Sequence, residues 1–212
     1  MKKMILGFAA VLGFAMVSSI AFAGGDAAAG QSKAAMCTAC HGANGNSVVA
    51  NFPKLAGQGE KYLIKQLKDI KSGSRKVVEM TGLLNAYSDQ DLADIAAYYA
   101  SKNIQMAGAK EENLDRGESL YRGGNIETGV PACTGCHSPT GQGNAPAGYP
   151  AIGGQFAQYT AKQLRAFRTG AHDPKNETAR TNDGDARVMR GVAAHMSDVE
   201  IEAVANFIAG LK

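Results

Sequence analysis

Every cysteine of the chain sits in one of two Cys-x-x-Cys-His stretches, "CTACH" at 37–41 and "CTGCH" at 133–137. Two thiols three positions apart project about one helical turn from each other, and a histidine follows directly. Four chemistries compete for this arrangement. Disulfides would use the four cysteines in one of three pairings but leave His41 and His137 without a role. A structural zinc site commonly wants two cysteine pairs about 15 to 20 residues apart, whereas 92 residues separate Cys40 from Cys133. A thioredoxin-like redox pair wants a βαβ setting, and neither copy has one. Covalent c-type haem uses the whole motif. Cys37 with Cys40, and Cys133 with Cys136, each form thioethers to vinyl groups, and His41 or His137 is held beneath the iron as an axial ligand. This is the reading the residues favour.

An iron held by one histidine has a second axial position to fill. Met80 is the sole methionine between the first motif and residue 105. The second half offers Met189 and Met196. A Ser-Asp pair begins eight residues after Met80 (Ser88-Asp89) and eight after Met189 (Ser197-Asp198), which selects Met189. Met196 matches Tyr87, a packing position. Met36, Met106 and Met196 read as core filler. His195 aligns with Ala86 and so reads as no ligand.

The elements that position these groups are themselves repeated. Pro53 lies 12 after His41 and Pro150 lies 13 after His137. Gln58 matches Gln155, Gln66-Leu67 matches Gln163-Leu164, and Gly73 matches Gly170. Shared offsets of this kind indicate duplication. The expected layout is a segment 1–23, a first domain 24–101, a linker 102–113 and a second domain 114–212. Helices are expected before each Cys motif (28–39 and 114–122). One more is expected over "YLIKQLKDIKSG", with Leu63, Ile64, Leu67 and Ile70 on one stripe and Gly73 as its stop. Each half then ends in a helix capped by Ser88 or Ser197, striped by Leu92, Ile95, Ala96 and Tyr99, or by Ile201, Val204, Ala205 and Ile208. No β-alternation is convincing, so the fold class is all-α. The second half carries 12 extra residues between Gly170 and Met189, read as a tolerated surface insertion.

The chain opens Met-Lys-Lys and then runs without a charge to Ala21-Phe22-Ala23, which reads as an export signal cleaved after Ala23. An uncleaved membrane anchor is the alternative. Export implies the periplasm in a two-membrane bacterium. Without Lys2 and Lys3 the net charge falls from +3 to +1, which is no balance for nucleic acid. Tryptophan is absent, so something other than a large aromatic core must fill the interior. Lys61, Lys65, Lys68, Lys71, Arg75 and Lys76 crowd one helix and its following loop, a basic face suited to steering a redox partner.

The two motifs, "PKLAGQ" (53–58) with "PAIGGQ" (150–155), and Met-x7-Ser-Asp in both halves make the chain resemble the dihaem cytochrome c4 family along its whole length. The resemblance implies two tandem cytochrome c-like domains, each wrapped around one covalent haem c and related by a pseudo-twofold, with the haems facing across the interface. It implies His41 with Met80, and His137 with Met189, as axial pairs. Pro53 and Pro150 would accept a hydrogen bond from the axial histidines. It implies a non-enzymatic periplasmic electron carrier between respiratory donors and a terminal oxidase or similar acceptor, with peripheral membrane association possible. Other classes stay open: a haem subunit of a larger redox enzyme such as a flavocytochrome sulfide dehydrogenase, a dihaem enzyme with a labile sixth ligand, or a gas sensor.

Overall fold

The computed structural model describes residues 24–212. The expected export signal and its cleavage after Ala23 lie outside the described residues. Among those described, the chain is helical, with two isolated β-bridges (Asn125 with Val130, Asn144 with Tyr149) and no strand. No described helix is long and apolar enough to cross a membrane.

The first repeat runs α1 (Ala27–Lys33), a 3-10 turn (Ala34–Cys37), α2 (Thr38–His41), α3 (Glu60–Ser72) and α4 (Asp89–Ala100). The second runs α5 (Leu114–Gly123), α6 (Thr134–His137), α7 (Ala157–His172), α8 (Val188–Ala194) and α9 (Asp198–Gly210). The helix expected over 28–39 is therefore split, because the backbone tightens at Ala34 before the Cys motif. Helix α3 stops where the sequence says it should, with Gly73 left-handed at φ 81°.

The terminal helices show how local chemistry sets each element. Ser88 Oγ accepts from Asp91 N while Asp91 Oδ2 accepts from Ser88 N, a capping box that satisfies two otherwise orphaned donors. Ser197 and Glu200 repeat it for α9. The apolar stripe of α4 (Leu92, Ile95, Ala96, Tyr99) and that of α9 (Ile201, Val204, Ala205, Ile208) are buried as expected.

What sequence pattern does not show is how the first and last helices of each repeat cross. Gly30 of α1 lies so close to α4 that an added Cβ would run into Asp94 O. Gly117 of α5 meets α9 in the same way, at Ala203 O. The obstacle in each case is backbone, which cannot swing aside. Gly30→Ala or Gly117→Ala is expected to cost about 3 kcal/mol or more through overpacking. Thermal unfolding of the holoprotein checks this, and an unchanged midpoint would mean the helices do not cross there. Asp94 also ties α1 to α4, accepting from Asp26 N, Gln90 Nε2 and Lys33 Nζ.

The two repeats meet through reciprocal contacts. Gln58 of the first clasps Ala151 of the second: its Nε2 donates to Ala151 O (2.8 Å) and its Oε1 accepts from Ala151 N (2.8 Å). Gln155 clasps Lys54 in return, through Lys54 O (2.9 Å) and Lys54 N (3.0 Å). Matched residues exchanging matched contacts are what a pseudo-twofold relation requires. The segment between the repeats is irregular and tied to both of them. Asn46 holds it through Asn103 O and Gln105 N, and Gly154 and Ala209 carbonyls accept from Ala107 N and Gly108 N.

The extra residues of the second repeat correct the surface-insertion expectation. Arg180 and Asn182 reach across to the first repeat and are both buried. Gln66 Oε1 accepts from Arg180, Asn182 and Arg75, while Asn182 also donates to Asp69. The insertion therefore clamps α3. The basic face is likewise largely spoken for. Lys68 pairs with Asp89, Lys65 with Asp69 and Asn182 O, Lys71 with Tyr87 O, Lys61 with Pro146 O, and Arg75 donates to Tyr159.

Candidate haem-binding sites

Each Cys-x-x-Cys-His motif ends in a one-turn helix whose last residue is the histidine. His41 and His137 are each 7% exposed. His41 Nδ1 lies 2.9 Å from Pro53 O, and His137 Nδ1 lies 2.9 Å from Pro150 O. A carbonyl can only accept, so Nδ1 carries the proton and donates it. Nε2 keeps its lone pair and is the ring atom left to bind a metal. Burial pushes both imidazoles below their ordinary range, and the proline carbonyls only partly offset this. A neutral ring with a fixed tautomer is what an iron ligand must be.

The prolines are held in place by the same device twice. Gly45 O, four residues after His41, accepts from Leu55 N (2.7 Å) and Ala56 N (3.2 Å). Gly141 O, four residues after His137, accepts from Ile152 N (2.7 Å) and Gly153 N (3.0 Å). Each staple brings the loop after the proline back onto the loop after the histidine.

All four cysteines are part-buried, and none is paired in a disulfide. Among the described residues no three His, Cys, Asp or Glu side chains come together as a metal cluster. The zinc reading therefore finds no ligand set, whereas a single histidine beside two thiols fits haem. Around each motif the core has a part-buried apolar margin. In the first repeat Cys37, Leu55, Ile64 and Leu67 border the buried cluster of Leu63, Ile95, Ala96, Tyr98 and Tyr99. In the second Cys133, Ile152, Met189 and Val192 border that of Leu120, Tyr121, Leu164 and Ile201. A flat apolar macrocycle attached at the thiols would cover such margins, so the residues fit the group.

The two methionines occupy related places. Met80 is half-buried at the end of a 3-10 turn (Val78–Met80) ahead of α4. Met189 is half-buried in the first turn of α8, against the second core. Met196 is 3% exposed within that core, as its packing reading requires. Met36 is 58% exposed and Met106 38%, so neither fills a core. Met36 sits outside because it falls on the solvent side of the 3-10 turn between α1 and α2. His195 is exposed at the end of α8.

Three groups escape sequence reasoning. Gly30 and Gly117 are hidden because an isolated helical glycine carries no periodic signal. The Gln58 and Gln155 clasps are visible only as matched repeat positions. Arg180 lies inside an insertion with no counterpart to align.

Fold and site together define a c-type cytochrome built twice in one chain. Comparison with known proteins agrees. The cytochrome c family profile matches residues 27–102 and 114–212. Cytochrome c4 of Azotobacter vinelandii is 54% identical over 190 residues, covering 85% of this chain and 87% of that protein. The crystal structure of reduced recombinant cytochrome c4 from Pseudomonas stutzeri is 55% identical and superposes with a TM-score of 0.83. That match covers 89% of this chain and all of the other. A thiosulfate dehydrogenase electron acceptor of Stutzerimonas stutzeri is 36% identical, covering 84% of this chain and 80% of that protein. The chain belongs to the cytochrome c family and, within it, to the dihaem cytochrome c4 family. It carries two covalently bound haem c groups and is an electron-transfer protein with redox partners.

Proposed function

We propose that the chain is a periplasmic carrier that moves electrons between respiratory donors and a terminal oxidase or similar acceptor. His41 with Met80 and His137 with Met189 act as the axial pairs, and Cys37, Cys40, Cys133 and Cys136 as the thioether attachments. The observation that supports this most is the matched pair of buried histidines, each with Nδ1 committed to a proline carbonyl. The carrier units are 24–101 and 114–212, joined by 102–113, after removal of 1–23.

When bound, each haem supplies an iron that takes up and releases one electron. The chain's own residues do the rest. The thioethers fix the ring, and the proline carbonyls hold each imidazole at one rotation. A histidine and a methionine ligand together favour the reduced state and raise the potential. Rigid ligands common to both oxidation states keep reorganisation small. A carrier of this kind docks briefly, over a small interface.

Similarity to a thiosulfate dehydrogenase electron acceptor favours a second reading, in which the chain serves a specific dehydrogenase as its acceptor. Optical spectra of the purified, periplasmically expressed protein test the first. Two covalent haems per chain, the far-red band of methionine-ligated ferric iron and no response of the reduced protein to carbon monoxide are expected. Carbon monoxide binding would overturn the assignment of Met80 or Met189. Copurification with a dehydrogenase subunit would favour the second reading.

A further inference from the structure

The two clasps do more than hold the repeats together. The peptide unit joining Pro53 to Lys54 is used at both ends. Its carbonyl accepts from His41 Nδ1, 2.9 Å away, and its N–H donates to Gln155 Oε1 of the other repeat, 3.0 Å away. The peptide joining Pro150 to Ala151 repeats the arrangement, with His137 Nδ1 at 2.9 Å on one side and Gln58 Oε1 at 2.8 Å on the other. Each buried histidine is thus linked through one peptide group to a glutamine of the opposite repeat. Gln58, Gln155 and Lys54 are all buried, and the Gln155–Lys54 bonds lie out of solvent while the Gln58–Ala151 bonds are part-buried.

We propose that Gln155 and Gln58 are positioning residues that act across the domain boundary, each setting the electron-donating strength of the other repeat's axial histidine. This rests on the assignment of His41 and His137 as axial ligands. The physical basis is hydrogen-bond cooperativity. A peptide whose N–H donates becomes a stronger acceptor at its carbonyl, by roughly 10–30% per bond in the chain. A stronger acceptor draws more on the Nδ1 proton and makes the imidazole a better donor at Nε2. A better donor favours the ferric state. Gln155 therefore lowers the potential of the first haem, and Gln58 that of the second. The effect runs in the crossed sense, which ordinary packing within a repeat does not produce.

The test is a haem-resolved redox titration of the full holoprotein, followed by NMR, with Gln155→Leu and Gln58→Leu. Gln155→Leu should shift the first haem about threefold toward the reduced state, about 28 mV at 59 mV per tenfold. The second haem should move by less than half as much. Gln58→Leu should give the mirror result. Amide exchange should quicken at Lys54 in the one variant and at Ala151 in the other. Gln155→Asn, whose amide falls one methylene short, should reproduce the crossed shift while preserving polarity.

Equal movement of both haems, a larger shift in the variant's own repeat, or no shift once Lys54 has lost its protection would overturn the proposal. Failure of all three variants to take up two haems would also overturn it, since the glutamines would then be structural. The hyperfine-shifted histidine ring resonances of the unsubstituted ferric protein separate the two readings. If they are missing, the axial assignment fails. If they are present without a crossed shift, only the clasp proposal fails.

Discussion

Replacing Met80 with alanine should leave one of two irons without its sixth ligand, so that three observables move together and a fourth stays fixed. About half of the far-red absorbance of the ferric protein disappears. The reduced protein binds one carbon monoxide per chain. The potential of one haem falls, on the order of a hundred millivolts or more, since axial ligand choice spans about 0.8 V among haem proteins. The other haem keeps its spectrum. Met189→Ala should give the same set of changes at the second haem. The two methionines share one geometry: each is half-buried just ahead of its repeat's last helix, eight residues before the serine that caps it. Met196 supplies the contrast. It lies inside the second core, so Met196→Ala is expected to leave a cavity and cost about 2–5 kcal/mol. It should open no site for carbon monoxide. Carbon monoxide binding in Met196→Ala but not in Met189→Ala would reverse the assignment.

The contrast between Met189 and Met196 is legible in the amino-acid order alone, because duplication supplies an internal ruler. The same ruler locates Pro53 and Pro150, the capping serines, and the stripes of α4 and α9, all of which depend on short-range offsets. It fails where an effect is made by two surfaces meeting. The lysines at 61, 65 and 68 look like one solvated face in the sequence. In three dimensions Lys61 and Lys65 bond to the second repeat while Lys68 pairs within the first. Arg180 and Asn182 look like loop because nothing in the first repeat corresponds to them. Their partners, Gln66 and Asp69, lie more than a hundred residues earlier. The stripe Leu63, Ile64, Leu67 and Ile70 reads as one buried face, but of these four only Leu63 is fully buried. The other three are part-buried, and Ile64 and Leu67 belong to the margin that a haem would cover.

That margin sets the second large expectation. Removing both thiols of the first motif, as Cys37→Ala with Cys40→Ala, should yield a chain with one covalent haem and an unfolded first repeat. The buried apolar cluster of that repeat is small: Ala34, Leu63, Ile95, Ala96, Tyr98 and Tyr99. Two of the six are alanines, which contribute little burial. A unit of this length buries only about 60% of its surface in any case. Loss of the cofactor is expected to remove on the order of 5 kcal/mol or more, the whole stability of a domain this size. The second cluster is twice as large and includes Tyr121, Leu164, Met196, Ile201 and Phe207. Cys133→Ala with Cys136→Ala should therefore retain more helix than the first pair. In each variant the intact repeat is weakened too, because one half of the reciprocal clasp has lost its ordered partner. Far-ultraviolet circular dichroism, haem counted per chain and limited proteolysis read these effects separately. A one-haem chain whose first repeat stays folded and protease-resistant would show that its protein core suffices. A two-haem chain would show that Cys37 and Cys40 are not its attachment.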